Sequence, residues 1–193
     1  MSSGRLEAFS DAVVAIVLTV MVLELGVPHG TDFEAIRPLL PVFLAYVLSF
    51  VNLGIYWNNH HHMVSTLDRV DGAILWANLH LLFWLSLFPF TTAWMGENDF
   101  ASLPVAAYGV VSLCAAIAYY LLQRFIIRSQ GEGSILAAAI GRDVKGRISP
   151  VLYAAGIVLA YPLRWVSLAL YVVVALMWLV PDRRIETTQT GPR

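Results

Sequence analysis

RLEAFSDAVVAIVLTVMVLELG, residues 5–26, is the stretch whose reading decides the fold. Its apolar run, Ala12 to Leu23, is broken only by Thr19. As a helix that run is roughly 18 Å long at about 1.5 Å per residue. A hydrocarbon core is about 30 Å thick, so the run does not span alone. It must borrow Phe9, Ser10 and Asp11 at one end and Glu24, Leu25 and Gly26 at the other. A carboxylate at membrane depth is costly unless it is paired or faces water. The stretch therefore predicts a helix that does not face lipid all round: the inner helix of a polar or water-filled path, supported by the other spans.

Composition points the same way. Of 193 residues, 59% are hydrophobic and 13% charged, and the mean hydropathy is +0.71. A soluble domain carries about a quarter charged residues. The expectation is an all-α integral membrane protein. The single cysteine, Cys114, excludes an internal disulfide and a cysteine-rich metal site. No small-residue cleavage pattern follows Leu23, so the first apolar segment is read as a mature transmembrane helix and not as a signal peptide.

Hydropathy and breakers divide residues 1–193 into a single domain of six spans, at about 6–25, 36–62, 72–95, 103–127, 148–163 and 165–180. Gly26 and Pro28 end the first. Pro38 and Pro41 fall in the first turns of the second, where proline is tolerated. Pro89 predicts a kink in the third. Ser134 to Ile140 reads as a short helix along the interface. Residues 148–180 as one helix would be about 50 Å long, too long for a bilayer, so they are split at Pro162 into a hairpin.

With six spans both termini share a side. That side holds Arg5, Arg69, Arg124, Arg128, Arg142, Lys145, Arg147, Arg183, Arg184 and Arg193, and the other only Arg37 and Arg164. The positive-inside rule puts both termini in the cytoplasm of a multi-pass protein of the cell (inner or plasma) membrane. The six-span unit has no internal repeat. A path lined by the first helix is then enclosed only if several subunits each contribute one around an axis.

Ala12, Ile16, Thr19, Val20 and Leu23 recur at spacings of three and four and share a helix face. That stripe reads either as ordinary bundle packing or as the lining of a pore. Asp11, Ala15, Leu18 and Val22 form the neighbouring stripe. Arg5, Ser10 and Asp11 make a polar mouth, and Asp11 requires a cationic or donor partner. Asn58, Asn59, His60, His61 and His62, at the end of the second span, are its natural partners, and Asn78 and His80 lie early in the third. Successive histidines on a helix point about 100° apart, so at most one or two meet a single ion. A structural hydrogen-bond cluster is favoured over a metal site, and no cofactor is expected. HExxH, GxSxG, Walker and TVGYG motifs are all missing, which removes support for hydrolases, ATP coupling and a carbonyl-cage filter. No enzyme activity and no nucleic-acid partner is expected.

Arg5-x-x-x-Phe9-Ser10-Asp11, followed by Ala15-Ile16, resembles the opening signature of the bacterial TMEM175 family. Tyr56-Trp57-x-Asn59-His60-His61, Leu85-Ser86-Leu87-x-Pro89-Phe90 and Trp94-Met95-Gly96-Glu97 extend the likeness over the first three spans. The resemblance implies a passive cation channel favouring potassium over sodium, a homotetramer with the first helix around a central pore. It makes Ile16 the narrowest ring, with Val20 and Leu23 the next apolar rings and Thr19 beside them. Bacterial members of that family often carry leucine where Val20 stands, so the resemblance implies a wider second ring here. It casts Arg5, Ser10 and Asp11, with a histidine of the second span, as a tie between helix ends; the hydrogen-bond network expected from the residues themselves is Arg5, Ser10, Asp11, Asn59, His60, His61 and Asn78. The competing expectation is a secondary transporter, proton-coupled through Arg5, Asp11 and His60 to His62.

Overall fold

A computed structural model describes residues 2–67, 69–131, 134, 136 and 144–179. All regular structure among them is helical. The main helices are α1 (Ser3–Leu23), α2 (Leu40–Val64), α3 (Gly72–Leu85), α4 (Phe88–Glu97), α5 (Ser102–Gln130), α6 (Val144–Leu159) and α7 (Arg164–Leu179). Two short 3₁₀ turns, Phe33–Ala35 and Arg37–Leu39, precede α2. The stretches Ser3–Leu23, Phe33–Val64, Gly72–Glu97 and Ser102–Gln130 are long and apolar enough to cross a membrane; α7 is apolar but only 16 residues long. The expected interface helix at 134–140 lies almost wholly outside the described residues.

Local chemistry sets the breaks. The Asp71 carboxylate caps α3 by accepting from the Ile74 N–H at 2.8 Å. The third apolar stretch is cut in two at Ser86–Leu87, just ahead of Pro89. Pro89 has no N–H to return to Leu85, so the chain tightens through Leu87 N–H to Trp84 O at 3.2 Å and restarts as α4. The expected kink is therefore a full break, with Pro89 in the first turn of the new helix. Residues 160–163, including Pro162, turn the chain between α6 and α7.

The centre of the bundle is aromatic. Tyr108 lies edge-on to Phe88 at 5.6 Å and against Tyr171 at 5.8 Å, and Tyr153 lies 5.8 Å from Tyr171 on its far side. Small residues let these rings in. A Cβ at Gly156 would stand 2.4 Å from Tyr171 Cε1, and one at Gly96 would stand 2.5 Å from the Val42 Cα. So α6 meets α7 across Gly156, and α4 meets α2 across Gly96. Helices α3, α5, α6 and α7 pack in sequence, whereas α1 lies against α2, α3 and α4.

Candidate functional site

α1 has two unlike faces. Leu6, Ser10, Val14, Val17 and Met21, at spacings of three and four, are buried in the bundle. The opposite stripe, Ala12, Ile16, Thr19, Val20 and Leu23, is exposed in the single chain; Ile16 retains 63% and Leu23 74% of its accessible surface. The Thr19 hydroxyl donates to Ala15 O at 2.8 Å, which leaves its oxygen facing outward with lone pairs free. Leu18 and Asp11, on the neighbouring stripe, are half-buried. An open groove runs beside the exposed stripe between α1 and α4, lined by Ile16, Val20, Glu24, Phe90, Trp94 and Glu97 among others.

The polar end of α1 is fastened by two rows of contacts. In the buried row, Asn78 Nδ2 donates to Ser10 Oγ at 3.0 Å, and Asn78 Oδ1 lies 2.7 Å from His60 Nε2. Ser10 Oγ in turn donates to Leu6 O at 2.9 Å. Asn78 is fully buried, and the nitrogen and oxygen of its side-chain amide join α1 to α2 through α3. An Asn oxygen is an acceptor only, so His60 Nε2 is the donor in that bond.

In the outer row, the Trp57 indole N–H donates to Asp11 Oδ1 at 2.9 Å, and Glu7 Oε1 lies 2.5 Å from His61 Nδ1. Trp57 and His61 also stack, their ring centroids 6.3 Å apart. Glu7 and Asp11 are four apart, as are Trp57 and His61. Four residues is one helical repeat, so two antiparallel helices present matched pairs. Sequence reasoning missed Trp57 as the donor to Asp11 and Glu7 as the partner of His61. The signal available was that spacing of four on both helices.

Two of the expected network residues stand apart. The Asn59 side chain donates to Ile55 O at 2.8 Å on its own helix, away from α1. Arg5 is exposed and makes no ion pair among the described residues. No group of three His, Cys, Asp or Glu side chains converges as a metal site among the described residues. His80 lies elsewhere, accepting the Trp84 indole N–H at 2.9 Å.

Comparison with known proteins adds a second line of support. Residues 5–89 match a family model described as the endosomal/lysosomal potassium channel TMEM175. A protein of Chryseobacterium sp. (strain P1-3) named as a potassium channel is 53% identical over 96% of this chain and 97% of its own length. Another so named, from Streptomyces collinus, is 38% identical over 66% of each chain. The fold superposes on the crystal structure of a lysosomal potassium-selective channel TMEM175 homolog from Chamaesiphon minutus. The TM-score is 0.77 at 29% identity, over 93% of this chain and 97% of that one.

Proposed function

The chain belongs to the TMEM175 family, a family of ion channels and not of enzymes, and we propose that it is itself a potassium-permeable channel of the cell membrane. In this reading residues 1–193 form one six-span domain, four copies assemble around an axis, and α1 of each lines the pore. Both termini face the cytoplasm. The observation that carries the reading is the exposed stripe of α1. A subunit that buries Leu6, Val14, Val17 and Met21 yet leaves Ile16 and Leu23 open has a second apolar face awaiting an occupant. Copies of the same helix around a pore supply one.

Ile16 forms the constriction, Val20 and Leu23 the further apolar rings, and Thr19 a polar group between them. An ion passing an isoleucine ring sheds water and receives no carbonyl in return. Potassium is larger and holds its water less tightly than sodium, so it passes at lower cost. The Ser10–Asn78–His60 row and the Glu7–His61 and Asp11–Trp57 pairs hold the mouth of α1 in register and do not touch the ion. The transporter reading is not favoured: the relatives carry channel names. The test is the purified protein in planar bilayers with potassium on one side and sodium on the other. Unitary current steps with a reversal potential set by potassium are expected. Saturating flux without steps refutes the channel, and a monomer or dimer by mass in native-like lipid with flux intact refutes the tetrameric pore.

A further inference from the structure

The hairpin of α6 and α7 carries a cation beside a tryptophan at each end, and the two pairs differ. At one end Lys145 Nζ stands 6.0 Å from the Trp178 ring centroid, and the Trp178 indole N–H is spent inside the subunit, donating to Ser149 Oγ at 2.8 Å. At the other end Arg164 Cζ stands 5.3 Å from the Trp165 centroid. There the guanidinium and the indole N–H make no hydrogen bond or ion pair among the described residues. Trp165 keeps 61% and Tyr161 66% of its accessible surface, and Arg164 is exposed beside them.

Tyr161, Arg164 and Trp165 line an open cleft at the turn, of about 360 Å³, together with Ser102 of α5. Among the described residues Arg164 is the one charge that lines it, and no carboxylate does. Phe100, from the loop between α4 and α5, packs against the Trp165 ring with centroids 5.8 Å apart. That loop takes left-handed backbone at Asp99 and Phe100, φ 47° and 55°, a conformation uncommon outside glycine. The aromatic wall of the cleft is thus packed in place, while its hydrogen-bond donors stay open.

Depth tells what those donors meet. α7 has 16 residues, about 24 Å at about 1.5 Å per residue. A hydrocarbon core is about 30 Å thick. Lys145 and Arg147 keep the far end of the hairpin, beside Trp178, at the opposite surface. Arg164 then starts about 6 Å short of the near edge of the core. A cation at that depth reaches outward along its own stem. The first anions it reaches are lipid phosphates.

We infer that this cleft is a binding site for an anionic phospholipid of the outer leaflet, with a phosphatidylglycerol-type headgroup. A guanidinium lying over a ring keeps its in-plane N–H groups for the phosphate oxygens. The Trp165 indole N–H and the hydroxyls of Tyr161 and Ser102 take the rest of the headgroup. The acyl chains lie on Leu163 and Val166, which are exposed below them. A choline or ethanolamine headgroup brings a cation to a cleft whose one charge is already positive, so a lipid with net negative charge fits better. The choice of leaflet rests on the reading that both termini are cytoplasmic; the binding does not.

The experiment is native mass spectrometry of the full chain in detergent, titrated with phosphatidylglycerol or with phosphatidylcholine of the same acyl chains. One phosphatidylglycerol per subunit, held about fivefold more tightly than phosphatidylcholine, is expected. Arg164→Gln removes that preference. Arg37→Gln keeps it, although Arg37 is the other cation expected on that side, because it is already paired with Glu34 at 3.7 Å. Equal retention of the two lipids by the wild type, or a preference that survives Arg164→Gln, overturns the site. Displacement of the lipid by an equal concentration of soluble glycerol phosphate overturns the lipid as its occupant. The leaflet is read separately, with Asn98→Cys in a Cys114→Ala background and a membrane-impermeant maleimide. Labelling from outside intact cells is expected; labelling from the cytoplasmic side alone overturns the leaflet and the orientation with it, and leaves the binding standing.

Discussion

α1 and the α5–α7 bundle are built by opposite rules. In the bundle, Tyr108, Tyr153 and Tyr171 are all nearly or fully buried, and glycines are set where the rings press. Each helix there finds much of its packing within the subunit. α1 is tied at one end by hydrogen bonds, buried along one face and left open along the other. Close packing transmits strain and resists change. A helix held by polar contacts at one end tolerates substitution on its free face. One region is packed throughout and the other keeps a free face, and substitutions in the two should differ in kind.

The largest loss of stability is expected at Gly156. A methyl there enters the Tyr171 ring, and Gly156→Ala should cost about 2–3 kcal/mol, read as a lower unfolding temperature in detergent. A variant as stable as wild type would show that the bundle yields, and would remove the contrast with α1. Asn78→Leu comes next. It takes the Asn78 contact from Ser10 and His60 together, at about 2 kcal/mol, and should speed amide exchange in the first turns of α1 while leaving α6 and α7 protected. Uniform loss of protection would mean that α1 and the bundle unfold as one unit.

Asp11→Ala removes a charge-assisted bond from Trp57, worth about 1.5 kcal/mol. If the proposed tetrameric channel is right, a lower yield of tetramer with unchanged ion preference is expected. A stable tetramer with altered preference would move Asp11 from the fastening to the path. The smallest effect on stability belongs to Ile16→Asn, within about 0.5 kcal/mol, because most of the side chain is open in the subunit. Its effect on current should be the greatest: higher conductance, with sodium and potassium brought closer together. Leu18→Asn, on the neighbouring stripe, should not reproduce it. Unchanged conductance and reversal potential in an assembled Ile16→Asn channel would place the constriction elsewhere.

Several features were legible along the chain. The all-helical class follows from apolar runs too long and too poorly charged for a soluble core. The break before Pro89 and the turn at Pro162 follow from a residue with no N–H to give. The stripe through Ile16 follows from a period of 3.6 residues, because a helix fixes which side chains share a face. The partner of Asp11 was not legible, since histidines and Trp57 stand on the same turns of α2 and only the rotation of that helix selects among them. Asn59 shows the same limit: one residue from His60, it turns back to Ile55 O of its own helix and not to α1.

The sequence by itself determined the helical class and which side chains share a helix face, because these depend on backbone hydrogen bonds and on neighbours a turn away. Only the tertiary structure decided which face meets which. It set Tyr153 against Tyr171, joined Ser10 to His60 through an asparagine of a third helix, and left Ile16 uncovered. Those choices depend on how helices far apart in the chain rotate to bury their surfaces together, and no local pattern carries that rotation.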